Sequence, residues 1–75
     1  RAFFTPRLPQ AVHEHRAWAL LREWLRRAPV APAVAALYDW RRHAAPELYP
    51  RYDDLLALLD QRARLPAAFQ SAEPT

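Results

Sequence analysis

The chain has 75 residues and a mass of 8.7 kDa, enough for one small domain with a limited core. It has no cysteine, which excludes disulfide bonds, thiolate catalysis and cysteine-based metal or iron–sulfur sites. All 11 basic side chains are arginine, against 8 acidic residues, and the net charge of +3 permits an acidic partner, RNA or an anionic membrane surface. No apolar run approaches the ~20 residues that span a bilayer, so the chain has no transmembrane segment of its own.

The eight prolines mark the boundaries between elements, because each fixes φ and disfavours the helical conformation of the residue before it. Residues 1–9 have no helical period and are predicted to form an extended N-terminal arm anchored by Phe3 and Phe4. Pro9 suits the first turn of a helix, and apolar residues then recur at helical spacing. The sequence therefore predicts a first helix over residues 10–27.

Two further helices are predicted in the rest of the chain. The second is shorter, opens at Pro32 and continues to about Arg42. The third begins near Leu48 or Tyr49, because Pro50 is acceptable in the first turn of a helix but not deep inside one. Residues 66–75 follow the last helix as a C-terminal tail.

The predicted fold is all-α, a three-helix antiparallel stack over residues 10–65 that follows the extended arm. Two short breaks between three helices leave room for antiparallel neighbours. Such a helix–turn–helix stack closes on itself as a bundle, or leaves one face open for a neighbour as a fragment of a solenoid does. The sequence leaves both arrangements open.

No residue pattern points to catalysis, and we expect neither a metal nor another cofactor. His13 and His15 would project about 200° apart on a helix and could not share a metal ion. Asp53 and Asp54 lack the nucleophile and third partner that acid–base catalysis would need. The sequence therefore favours an interaction module over an enzyme.

The aromatic residues and arginines predict a surface for binding another protein. Three tryptophans are many for the narrow seam of so small a stack, so some should face a partner unless all three fill one core. Tryptophan and arginine are both enriched at the energetic centres of protein interfaces. The residues predicted to lie in the interface are Phe3, Phe4, Trp24, Trp40, Arg41, Arg42 and Tyr49.

Two pairs of arginines end the first and second predicted helices, at residues 26–27 and 41–42. An antiparallel arrangement puts the C-terminal ends of these two helices at opposite poles of the stack. The pairs then do not combine into one basic patch, which disfavours nucleic acid as the partner.

The middle of the chain resembles the helical-repeat portion of cytochrome c oxidase subunit Va, known as subunit VI in fungi. The resemblance is carried by Arg26-Arg27 at the end of one helix, Ala33-Val34 with Leu37 in the next, and the step Glu47-Leu48-Tyr49-Pro50 before Leu55 and Leu59. It implies a supernumerary subunit peripheral to the inner mitochondrial membrane, on its matrix side. Such a subunit carries no haem, copper or catalytic residue of its own.

On this basis we expect a non-catalytic accessory subunit of a respiratory-chain complex, with cytochrome c oxidase as the complex that the resemblance favours. Its partners would be larger protein subunits, with lipid headgroups as a further contact. The start at Arg1 and the lack of methionine agree with a trimmed or mature chain. Two alternatives stay open, a docking or adaptor domain of a large bacterial multi-enzyme assembly and an accessory protein of a mitochondrial ribosome.

Overall fold

The computed structural model describes residues 6–65, which form three α-helices joined by short connections. The helices are α1 at His15–Arg27, α2 at Val30–Arg42 and α3 at Tyr49–Ala63, with a 3₁₀ turn at Pro46–Leu48 just before α3. No strand occurs within this range. The prediction of an all-α stack is confirmed.

Successive helices run antiparallel, so α1 and α3 run in the same direction. Near their N-terminal ends the rings of Trp18 and Tyr52 meet edge to face, with centroids 5.4 Å apart. Near their C-terminal ends Arg62 of α3 donates a hydrogen bond of 2.6 Å to the main-chain oxygen of Leu25 in α1. The helix α3 packs extensively against α2 and also contacts α1, which makes it the central helix of the stack.

One core is shared by the three helices. Its largest fully buried side chains are four leucines from the three helices, Leu21, Leu25, Leu37 and Leu59, together with Tyr52. Burying one such leucine contributes about 1.5–3 kcal/mol. Leu8, from the segment before α1, also packs against this core, and Pro9 is buried. The last residues of the predicted arm therefore touch the helical domain.

The first helix begins five residues later than the sequence predicted, because residues 11–14 form a turn. Main-chain bonds from Glu14 to Ala11 (3.2 Å) and from His15 to His13 (2.8 Å) close that turn. In a continuous helix the Ala11 oxygen would accept from the His15 amide. Here it accepts from the Glu14 amide and also, at 3.0 Å, from the indole nitrogen of Trp18, since a buried tryptophan needs an acceptor.

The Glu14 carboxylate binds the segment that precedes the same turn. It accepts hydrogen bonds from the Arg7 guanidinium and, at 3.1 Å, from the main-chain amide of Gln10. The hydrogen bond from Arg7 lowers the pKa of Glu14 from its usual value of 4.5. In the sequence, the helical spacing of apolar residues includes this segment. The contacts of Glu14 nevertheless make the turn more stable than a helix would be there.

The second helix begins two residues earlier than predicted, at Val30 rather than Pro32. The first helical hydrogen bond runs from Ala33 to the oxygen of Pro29, at 3.1 Å. Pro32 is then the third residue of α2, where an amide hydrogen would have no helical acceptor. A proline therefore costs no hydrogen bond at that position.

Prolines end the preceding segments as expected. Ala28 and Ala45 each precede a proline and have extended ψ angles of 147° and 141°. The helix α3 starts at Tyr49 with Pro50 in its first turn, which confirms the predicted start of the third helix.

Candidate interaction surface

The three tryptophans divide between the core and its margin. Trp18 is buried, with 4% of its surface exposed. Trp24 and Trp40 are partly buried, pack against the core and contact each other, with ring centroids 6.0 Å apart. Helical side chains lean toward the N-terminus of their own helix, so those of antiparallel helices lean toward each other. The indole pair bridges α1 and α2 in this way.

Arg41 at the end of α2 is held between two side chains of α3. Its guanidinium carbon lies 4.1 Å from the ring centroid of Tyr49. Its Nε atom donates to Oδ1 of Asp53 at 2.9 Å, and Nη2 lies 3.5 Å from Oδ2. The hydrogen bond to Asp53 raises the pKa of Arg41 above its usual value. These contacts fix the orientation of the guanidinium while leaving it partly exposed.

Tyr38 extends this arrangement along α2. It lies three residues before Arg41, on the same side of the helix, and 59% of its surface is exposed. We call Tyr38, Arg41, Tyr49 and Asp53 the tyrosine–arginine patch. Arg41 and Tyr49 were predicted from the sequence as interface residues and Tyr38 was not, although its i,i+3 spacing to Arg41 is a signal for it.

The remaining predicted interface residues lie elsewhere. Arg42 is exposed and pairs with Asp39 one turn earlier in α2. Trp40 lies on a different side of α2 from Tyr38 and lines a cleft beneath the segment before α1. Phe3 and Phe4 lie outside the described residues. The structure thus brings four of the seven predicted residues into contact as two separate pairs, Trp24 with Trp40 and Arg41 with Tyr49.

A cleft beside Trp40 is the second candidate site in the described residues. It has a volume of about 290 Å³ and is lined by Leu8, Pro9, Gln10, Trp40, His43, Ala44, Ala45, Leu48 and Tyr52. Burial raises the pKa of the Tyr52 hydroxyl above its usual value of 10.0.

The histidines are dispersed over the described part of the chain. His13, His15 and His43 are all exposed, and no three metal-ligating side chains of residues 6–65 come together. Asp53 forms an ion pair with Arg41. Every fully buried side-chain nitrogen or oxygen in this range has a hydrogen-bond partner.

None of the helices within residues 6–65 is both long and apolar enough to span a bilayer. Comparisons of the chain with protein-family models, with curated proteins and with solved structures give no match.

Proposed function

We propose that this protein is a non-catalytic accessory module that binds a larger protein through the tyrosine–arginine patch. The supporting observation is the arrangement of Arg41, which is stacked on Tyr49 and bonded to Asp53 beside the exposed ring of Tyr38. Tyrosine and arginine are enriched among the residues that dominate binding energy.

The fixed geometry of Arg41 favours a binding role. Ordering a long side chain at an interface costs about 0.5–1.5 kcal/mol, and the free protein has already restricted this one. The Tyr38 ring beside it offers a large apolar surface with a polar hydroxyl, the combination that interfaces use most. A partner would add contacts without first reorganising the patch.

The specific complex that we propose is mitochondrial cytochrome c oxidase, bound from the matrix side. This part of the proposal rests on the sequence resemblance. The step Glu47-Leu48-Tyr49-Pro50 is its most specific part, and that step contributes Tyr49 to the patch. If the protein is found in a bacterial multi-enzyme assembly or in a mitochondrial ribosome, that assembly replaces the oxidase as the proposed complex.

The first experiment is native-gel separation of detergent-solubilised membranes from the source cells, with mass spectrometry for this chain in each band. Co-migration with haem-containing oxidase subunits is the expected result. Co-migration with a ribosome or a soluble multi-enzyme would keep the accessory role and discard the oxidase. Recovery as a free small protein under all conditions would overturn the proposal.

The binding surface is tested by Tyr38→Ala in the full chain. Removing a central aromatic side chain from an interface costs about 2 kcal/mol, so we expect about thirtyfold weaker incorporation into the complex. Leu20→Ala is the matched control, because Leu20 is 52% exposed on α1, away from the patch. Equal incorporation of both variants would exclude the patch as the binding surface.

A further inference from the structure

The arginines of α1 and α3 come together because these helices run in the same direction. Arg22, Arg26, Arg27, Arg62 and Arg64 all lie in the C-terminal part of α1 or at the C-terminal end of α3. The bond from Arg62 to the Leu25 oxygen ties the two helix ends to each other. We call the end of the molecule that carries these five residues the arginine pole.

The charge of the described residues is concentrated at this pole. Its five arginines are accompanied by two acidic residues, Glu23 and Asp60, so its net charge is +3. The first half of α2, which begins at the same pole, has no charged residue. The rest of residues 6–65 has five arginines and five acidic residues and is neutral overall. The net positive charge of residues 6–65 therefore lies at one end of the molecule.

Compensation of helix dipoles does not account for this excess. The C-termini of α1 and α3 contribute about −0.5 charge each, and the N-terminus of α2 contributes about +0.5. Their sum of about −0.5 is far smaller than the side-chain charge of +3. That net charge already includes the two local acids, of which Asp60 pairs with Arg64 at 3.0 Å and Glu23 lies 3.8 Å from both Arg26 and Arg27.

The exposed arginines are available to a partner. The side chains of Arg26, Arg27 and Arg64 are 60%, 69% and 76% exposed. Arg22 is exposed as well and has no ion-pair partner among residues 6–65. Like charges held close together destabilise the free protein slightly, and an oppositely charged partner relieves that repulsion.

We infer that the arginine pole is a second docking surface, which binds an acidic region of a partner protein. The planar guanidinium pairs with carboxylates through two parallel hydrogen bonds. The interspersed Glu23 and Asp60 would repel a continuous phosphate backbone but can face basic or neutral positions of a protein. A second copy of this chain is disfavoured, because its remaining described surface has no excess of acidic groups.

This inference rests on the proposed function in one respect, that the partner is a protein. It also adds a separate surface, since Tyr38 and Arg41 lie in the neutral half of the molecule. The arginine pole would attract an acidic partner by long-range electrostatics and so speed association. The tyrosine–arginine patch would supply the short-range contacts.

The test compares two double variants of the full chain that remove the same charge. Arg22→Gln with Arg27→Gln alters the pole, and Arg16→Gln with Arg42→Gln alters the neutral half. Each pair combines an arginine without an ion-pair partner in the described chain with one that pairs within its helix. The probe is fluorescein-labelled poly-L-glutamate, compared with poly-U RNA and with vesicles that contain phosphatidylserine, all at low salt.

We expect the pole variant to bind poly-L-glutamate about tenfold more weakly and the control variant to change less than about twofold. Melting temperature at low salt is the second readout, and the pole variant should equal or exceed the control. A lower melting temperature than the control would mean that the arginines serve the helix ends and not a partner.

Equal weakening in both variants, no measurable binding, or tighter binding of RNA or vesicles would overturn the inference. Failure here is distinguishable from failure of the proposed function. Loss of incorporation by Tyr38→Ala would still support the accessory role if the pole variants behaved alike.

Discussion

At the scale of single residues, Glu14 and Trp18 determine how the chain enters α1. Both side chains reach back toward the preceding segment, Glu14 to Arg7 and Gln10, and Trp18 to the oxygen of Ala11. The helical periodicity of this segment is real, yet these three side-chain hydrogen bonds make a turn more favourable there. Such contacts join residues four to seven positions apart and leave no periodic signal.

The pH dependence of this turn follows from the lowered pKa of Glu14. As the pH falls past 4.5, the unfolded chain takes up the proton first, so the stabilisation that Glu14 provides begins to decline there. It is lost completely below the lowered pKa of the folded state. We therefore expect the indole N–H resonance of Trp18 to stay constant above about pH 5 and to shift at lower pH.

The control for this NMR titration is Glu14→Gln, which removes the ionisable group from the turn. Its indole resonance should sit at a different position at neutral pH and should show no titration in the acidic range. If wild type and variant titrate identically, another carboxylate is responsible and the role assigned to Glu14 is wrong.

At the scale of elements, proline placement explains most boundaries, but the exact starts differ from the prediction. The helix α2 starts before Pro32, because a proline at the third helical position, like one at the first, costs no helical hydrogen bond. The sequence marked the right proline and misjudged its position by two residues. At α3, Pro50 constrains the start more tightly, and prediction and structure agree.

We predict that Pro32→Ala lowers the free energy of unfolding by about 0.4–1 kcal/mol, because the alanine frees the unfolded chain without adding a helical hydrogen bond. Ala35→Pro, at an exposed position further along the same helix, should cost about 3 kcal/mol or more. Urea unfolding followed by circular dichroism measures both. Equal costs would mean that Pro32 does not lie in the first turn.

At the scale of the whole molecule, a small core makes each buried side chain important. The described residues bury leucines from all three helices and no charged side chain. A domain of about 60 residues buries only about 60% of the surface that its unfolded chain exposes. The free energy of unfolding is therefore expected to be small. A partner that binds the folded protein at either proposed docking surface would increase it.

We predict that Leu37→Ala abolishes cooperative thermal unfolding. Leu37 has no exposed surface and lies in α2, and removing such a side chain costs about 2–5 kcal/mol, close to the whole stability expected for this size. Leu20→Ala should change stability by less than about 0.5 kcal/mol, since Leu20 is 52% exposed. A cooperative melt of Leu37→Ala near the wild-type temperature would contradict this account of the core.

Arg41 and Tyr49 show how much of the candidate site could be predicted. Their residue types identified them as interface candidates, but their contact with each other, and with Asp53, depends on how α2 folds back against α3. The arginine pairs show the converse. Residues 26–27 and 41–42 lie at opposite ends of the stack, as predicted, but the arginine pole depends on α1 and α3 lying side by side, which was not predicted.

The sequence by itself determined the all-α class, the number of helices and the breaks between them, because helical period and proline act within a few residues. The tertiary structure alone decided where α1 starts, which arginine is stacked on a tyrosine and which end of the molecule carries the charge. Those properties depend on side chains from different helices. Their proximity follows from packing, which no local pattern encodes.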